Sequence, residues 1–109
     1  MIIAKKKMTF ERRVYQMAKK IPLGKVTTYG RIARLAGRPK AARVVGRLMK
    51  NNPYAPMVPC HRVVGWNGKL VGFSGGKGIK TKKKLLLQEG VIFKNKKVDL
   101  ARSGWQLSL

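Results

Sequence analysis

Thr28-Tyr29-Gly30-Arg31-Ile32-Ala33-Arg34-Leu35-Ala36-Gly37, running on into Arg38-Pro39-Lys40-Ala41-Ala42-Arg43-Val44-Val45-Gly46-Arg47-Leu48-Met49-Lys50, is the stretch on which the fold turns. Tyr29, Ile32, Ala33 and Ala36 recur at helical spacing behind Thr28, a good N-cap, and Gly37 closes that helix. After a tight Gly37-Arg38 turn, Pro39 suits the first position of another helix, which runs to about Lys50. Two short helices joined by a Gly-containing turn are the signature of a helix-turn-helix, here spanning 28–50. Lys40, Arg43, Arg47 and Lys50 line one face of the second helix. Ala42 and Gly46, one turn apart, leave a strip of small residues where a backbone can approach DNA closely. Taken alone, the same pattern also describes a solvated basic face.

Working outward, Phe10, Val14, Met17, Ala18 and Ile21 follow helical spacing, which predicts a helix over Thr9–Lys20 with Thr9 as N-cap and Glu11 in the first turn. Pro22-Leu23-Gly24 ends it, and Lys25 to Thr27 is a short extended piece. On the other side, Asn51-Asn52-Pro53 breaks the helix-turn-helix. Tyr54 to Pro59, with two more prolines, reads as an ordered loop across the core. Val63-Val64 and Lys69-Leu70-Val71 flank Trp66-Asn67-Gly68, a hairpin signal. Gly72-Phe73-Ser74-Gly75-Gly76 reads as a loop, and a last helix is expected over Ile79–Gln88, stopped by Gly90. The tail holds Val91, Ile92, Phe93, Val98, Leu100 and Trp105 and is expected to pack as a short extended piece. The whole is mainly α with a small β-hairpin, without internal repeats.

The chain has 109 residues, one domain's worth, and 44% hydrophobic content, enough for a modest core. Twenty-six Lys and Arg stand against three Asp and Glu, a net charge of +23. Such a charge opposes compaction unless counterions or a polyanion lie nearby, and nucleic acid rewards scattered cations through counterion release. A biased genome composition or a hot or salty habitat also produces part of this excess. A membrane surface would need a basic amphipathic helix with a large apolar face or a lipid anchor, and neither is present. One Cys and one His can build neither an internal disulfide nor a structural zinc site. The first residues, Met1 to Lys7, lack the apolar region of a signal peptide, so an intracellular, reducing location is expected, cytoplasmic or nucleoid-associated or nuclear.

That single Cys and single His are adjacent, in Pro59-Cys60-His61-Arg62-Val63. A thiol is nucleophilic as thiolate, and cationic neighbours or an imidazole favour that form. The one soft nucleophile therefore sits beside the one neutral-pH base in a positive field. On an extended segment the two side chains point to opposite faces, so a bridging water fits better than a direct bond. Glu89 closes the last helix at its negative end, where an acid is disfavoured, so it calls for a specific partner; Lys83 or Lys84 would give an ordinary surface pair.

The segment Asn52-Pro53, then Val58-Pro59-Cys60-His61-Arg62-Val63-Val64, resembles the active-site signature of the O6-alkylguanine-DNA alkyltransferases. So do Val26-Thr27-Thr28-Tyr29-Gly30, Ala41-Ala42-Arg43-Val44-Val45-Gly46, Gly72-Phe73-Ser74-Gly75-Gly76 and Leu87-Gln88-Glu89-Gly90, in the family's order. Five segments in order make the resemblance specific over roughly Thr9 to Val91. It implies that family's C-terminal domain, winged helix-turn-helix-like, over 1–109, with an active-site loop at 52–64. Only eight residues precede Thr9, so the family's N-terminal domain is expected to be absent.

The resemblance implies an alkyl group moved irreversibly from O6 of guanine onto Cys60, once per molecule, with no cofactor and no metal. His61 would deprotonate Cys60 through a water, and Glu89 would hold the imidazole. The nucleotide must be flipped out of the stack, with Arg43 filling the gap and the helix-turn-helix docked in the minor groove of double-stranded DNA. Tyr29, Met49, Val63 and Ser74 would form the base pocket, Pro59 part of its apolar wall, and Asn52 the hinge between helix-turn-helix and active-site loop. A monomer is expected. The alternative is an alkyltransferase-like protein that binds the lesion without repairing it; in those proteins another residue, commonly Trp, replaces the cysteine, whereas here the position carries Cys60.

Overall fold

A computed structural model describes residues 8–71 and 75–105. Helix α1 spans Phe10–Lys19, and the Thr9 side chain accepts from the Arg12 N–H as its N-cap. Its apolar positions at three- and four-residue spacing turn Phe10, Val14 and Ala18 inward. Burying Phe10 and Val14 contributes roughly 2 kcal/mol each. Thr28 caps α2, Tyr29–Leu35, by accepting from the Arg31 N–H. Gly37, at φ +99°, ends α2 in a Schellman turn, in which the Arg38 N–H donates to Ala33 and the Gly37 N–H to Arg34.

Helix α3 spans Ala42–Lys50, starting three residues later than Pro39, the expected first position. The Ala41 N–H donates to the Arg38 carbonyl, so 38–41 form a turn with Pro39 at its second position, where the fixed φ of proline is equally at home. Lys40 therefore lies in that turn and not on the helix face, while Arg43, Arg47 and Lys50 remain on α3. Helices α1, α2 and α3 pack around one core built on Val14, Ala18, Ile32, Ala33, Val45 and Met49.

Two further corrections concern the strands. Thr27–Thr28 (β1) pairs in parallel with Val63–Val64 (β2), so Val63-Val64 is not the first arm of a hairpin ladder. Only a tight turn survives there, with the Gly65 N–H donating to Lys69. The antiparallel hairpin lies in the tail instead: Phe93–Lys94 (β3) pairs with Lys97–Val98 (β4) across Asn95 and Lys96, both at positive φ. The alternation of a strand puts Val63 in the three-helix core and Val64 in a second core with Val26, Leu70, Leu86, Val91 and Val98.

Helix α4 spans Gly75–Gln88, so Gly75 and Gly76 are helical and not loop, and the helix begins before Ile79. Lys82 and Leu86, one turn apart on its inner face, are fully buried, while Ile79 at the outer end of that face is exposed. Gly90, at φ +86°, closes α4 with the Val91 N–H on Leu86 and the Gly90 N–H on Leu87. A last short helix, α5, spans Leu100–Ser103 and is capped by Asp99. The molecule is thus mainly helical with small strand pairs.

Candidate active site

The Cys60 turn leads directly into β2 and packs against the three-helix core. Just before β2 the chain makes a single 3-10 turn, Cys60–Arg62, instead of the extended segment expected. The Arg62 N–H closes it on the Pro59 carbonyl, and the Val63 N–H bonds the Cys60 carbonyl. Pro59 and His61 are buried, and Cys60 is a free thiol, partly buried against the three-helix core. Asn52 links α3 to this loop: its side-chain amide donates to the Val58 carbonyl at 2.7 Å, and its side-chain oxygen accepts from the Tyr54 N–H at 2.9 Å.

Glu89 pairs with neither Lys83 nor Lys84. Its Oε2 lies 2.9 Å from His61 Nε2, and Arg62 donates through Nε to Oε1 at 2.8 Å and through Nη2 to Oε2 at 2.9 Å. The third guanidinium nitrogen, Nη1, donates to the Ile21 carbonyl, fastening the turn to the end of α1. The Arg62 hydrogen bonds, aided by His61 and opposed by partial burial, hold the Glu89 carboxyl below its ordinary range. A carboxylate on Nε2 makes that nitrogen the donor and leaves His61 Nδ1 as an acceptor. Arg62 as a partner of Glu89 escaped the sequence reading. An Arg beside a catalytic-looking Cys-His, with three acids to choose from, was the available signal.

The other missed residue is Lys82. Its Nζ donates to the Val63 carbonyl at 2.6 Å, the Val71 carbonyl at 2.9 Å and Tyr29 Oη at 3.1 Å, with the cation 5.5 Å from the Tyr29 ring centre. Burial lowers Lys82 to about 8, an effect that a negative Cys60 opposes. Tyr29 Oη donates to the Val71 carbonyl at 2.7 Å, and burial raises its phenol above the ordinary range, so it stays a proton donor. Within a run of lysines only helical phase marks Lys82, one turn before the buried Leu86 on the same face of α4.

Of the remaining expected pocket residues, Met49 and Val63 are buried in the core beside Cys60, and the Val63 carbonyl already takes one hydrogen bond from Lys82. Ser74 lies outside the described residues. Arg43, Lys40, Arg47 and Lys50 are exposed, with Ala42 and Gly46 half-buried between them. A cavity of about 510 Å³ between α1 and the 54–58 loop, lined by Tyr15, Gln16 and Tyr54 among others, does not include Cys60. No group of three or more metal-ligating side chains occurs among the described residues.

Known proteins similar to this chain are the following. A relative from Methanosarcina acetivorans called methylated-DNA–protein-cysteine methyltransferase is 51% identical over 71 residues, 65% of this chain and 46% of its own length. The chain spans about half the length of the curated relatives it matches. Among solved structures, Schizosaccharomyces pombe Atl1 bound to damaged DNA containing O6-carboxymethylguanine superposes with a TM-score of 0.80 at 34% identity, over 98% of this chain and all of that one. Mycobacterium tuberculosis OGT in complex with DNA gives 0.68 at 44% identity, over 78% of this chain and 52% of that one. Residues 9–91 match the family described as 6-O-methylguanine DNA methyltransferase, DNA binding domain. By that match, which takes in most of its length, the chain belongs to this family.

Proposed function

We propose that the protein repairs O6-alkylguanine in DNA by moving the alkyl group onto Cys60, one lesion per molecule. The observation that carries the reading is the single thiol on a turn whose next two residues, His61 and Arg62, are both held by Glu89. Cys60 gives its proton through a water to His61 Nδ1, and the imidazolium charge is balanced by Glu89 at Nε2. The thiolate sulfur attacks the alkyl carbon, forming S–C as C–O6 breaks, and the guanine leaves as an anion. Tyr29 is the proton donor for that anion on its N3 side. To act so, its hydroxyl exchanges the Val71 carbonyl for the base, and Lys82 returns the proton. The thioether has no leaving group for water to displace, so the protein is consumed.

A base buried in a stacked duplex cannot reach Cys60, so the nucleotide is flipped, with Arg43 entering the gap and α3 docked in the minor groove. That groove reads sequence poorly, which suits a scanner of rare lesions. The carbonyls of Cys60 and Val63 accept from the exocyclic amine, and Met49 and Pro59 wall the alkyl group. Asn52 couples the helix-turn-helix to the loop, and the protein works as a monomer.

A second reading, binding of the lesion without transfer, is favoured by the full-length correspondence with Atl1. The two separate in one experiment. Purified protein is incubated with duplex DNA carrying methyl-labelled O6-methylguanine. Label on Cys60, rising to one equivalent and then stopping, is expected. Tight binding with unlabelled protein would leave only the second reading.

A further inference from the structure

We propose that the cavity between the C-terminal tail and α2 is a second binding site, taking a phosphate-type oxyanion on Arg31 and Thr27. The tail is clamped along β1: the Val26 N–H donates to Ser103, the Trp105 N–H to Val26, and Lys25 Nζ to the Arg102 carbonyl. Leu100, Gly104 and Trp105 thereby form one wall of a cavity of about 200 Å³, Arg31 and Arg34 line the other, and Thr27 reaches it from β1.

Two buried side-chain polar atoms lack a hydrogen-bond partner among the described residues, Thr27 Oγ1 and Arg31 Nε, and both belong to residues lining this one cavity. Thr27 is only 3% exposed. Buried donors left unpaired are costly and rare, so two in one cavity mark a place where a ligand is received. Nε–H donates and accepts nothing, and a threonine hydroxyl can donate, so a ligand that offers acceptor oxygens suits both. Two arginines line the space and no carboxylate does, which selects an anion over a neutral acceptor. A phosphate oxygen meets each requirement, whether it belongs to a DNA backbone or to a free anion. The first helix of a helix-turn-helix lies close to the DNA backbone in known complexes, so α2 is a reasonable element to carry such a contact.

The test uses a Trp66→Phe background, in which Trp105 is the sole indole. Inorganic phosphate is titrated at constant ionic strength while Trp105 fluorescence is read. A saturable change is expected, weakened at least tenfold by Arg31→Gln and by Thr27→Val. The second variant alters no charge, so its loss cannot be a general electrostatic effect. Should Thr27→Val melt far below the parent, Thr27→Ser replaces it and should bind as the parent does. Lesion-free duplex DNA then separates the sources, and this arm alone rests on the DNA reading above. If a backbone phosphate fills the site, duplex displaces inorganic phosphate, and Arg31→Gln lowers the slope of log affinity against log salt by about one. If a free anion does, phosphate stays bound and the slope is unchanged. No saturable response in the parent, or equal binding by Thr27→Val and the parent, would overturn the proposal and leave a water-filled cavity.

Discussion

Replacing Glu89 by Gln tests the central ion cluster on stability and on chemistry at once. The carboxylate accepts three hydrogen bonds, from His61 Nε2, Arg62 Nε and Arg62 Nη2, two of them on Oε2. A glutamine with its oxygen in the Oε2 place keeps two bonds in neutral form, at a loss of about 1 kcal/mol each. Its amide in the Oε1 place faces the Arg62 Nε–H, donor to donor, which costs a further 1–3 kcal/mol or so. The side chain is 15% exposed, so solvent screens little of this. The sum, roughly 3–5 kcal/mol, matches what breaking a buried ion pair costs, and corresponds to a melting point lower by at least 10 °C or so.

The pH dependence follows from the same cluster. Glu89 titrates below its ordinary range in the folded chain. Its contribution is therefore complete above the unfolded value of about 4.3 and is lost as pH falls through the lower folded value. Urea unfolding of wild type and Glu89→Gln should show a gap at neutral pH that closes as the solution is acidified below the unfolded value. With only three Asp and Glu in the chain, few other carboxylates titrate in that window. Single-turnover transfer at neutral pH should fall by roughly ten- to a thousandfold through the loss of positioned acid-base help. A gap below about 1 kcal/mol at pH 7, or one that persists unchanged in acid, would refute the cluster as described. A stability loss with unaltered transfer would keep the cluster and remove Glu89 from the chemistry.

Cys60→Ala should abolish transfer while leaving affinity for O6-methylguanine duplex unchanged, as read by mass spectrometry and by gel shift; retained methylation of the protein would place the acceptor elsewhere. Arg43→Ala should slow repair of duplex about a hundredfold but leave reaction with free O6-methylguanine base nearly intact, because only the duplex needs its gap filled; equal losses would indicate a folding defect. Lys82 falls to about 8 in the folded chain against an ordinary 10.5, so between those values the unfolded chain holds a proton that the folded one has lost, and stability should rise with pH from about 8 to about 10. Urea midpoints should show this rise in wild type and not in Lys82→Met; identical slopes would mean that Lys82 is not buried as described. Lys50→Ala should weaken duplex binding evenly across sequences and lower the salt slope by about one, and a sequence-dependent loss would argue for base contact.

What could be read from the sequence was what local rules govern. Thr9, Thr28 and Gly37 sit at helix ends for reasons confined to one turn of backbone, and each occupies its expected place. Pro39 misled because its φ suits a turn and a helix start alike, and the Ala41-to-Arg38 hydrogen bond decides between them. Val63-Val64 reads as a strand in either case, but whether it pairs with its neighbour or with Thr27-Thr28 depends on contacts 36 residues apart in the register. Cys60 and His61 stood out by rarity. Lys82 had no such contrast among 26 cations, and only the burial of its helix face singles it out.

Scarcity also explains where the carboxylates stand. Glu11 lies in the first turn of α1, and Asp99 caps α5 by accepting from the Ala101 and Arg102 N–H groups, both at helix starts where negative charge is favoured. Glu89 alone sits at a helix C-terminus, a placement that costs about 0.3–1 kcal/mol. Each charge-assisted bond it accepts is worth about 1.5–3 kcal/mol, so the two from Arg62 outweigh that cost before His61 is counted. Gly90 makes the placement possible, since its positive φ turns the chain away directly after Glu89 and sends Val91 back onto Leu86. An acid held against the helix dipole in a chain of +23 is thus the result of a specific seat. The two side chains that make that seat are the two that follow Cys60.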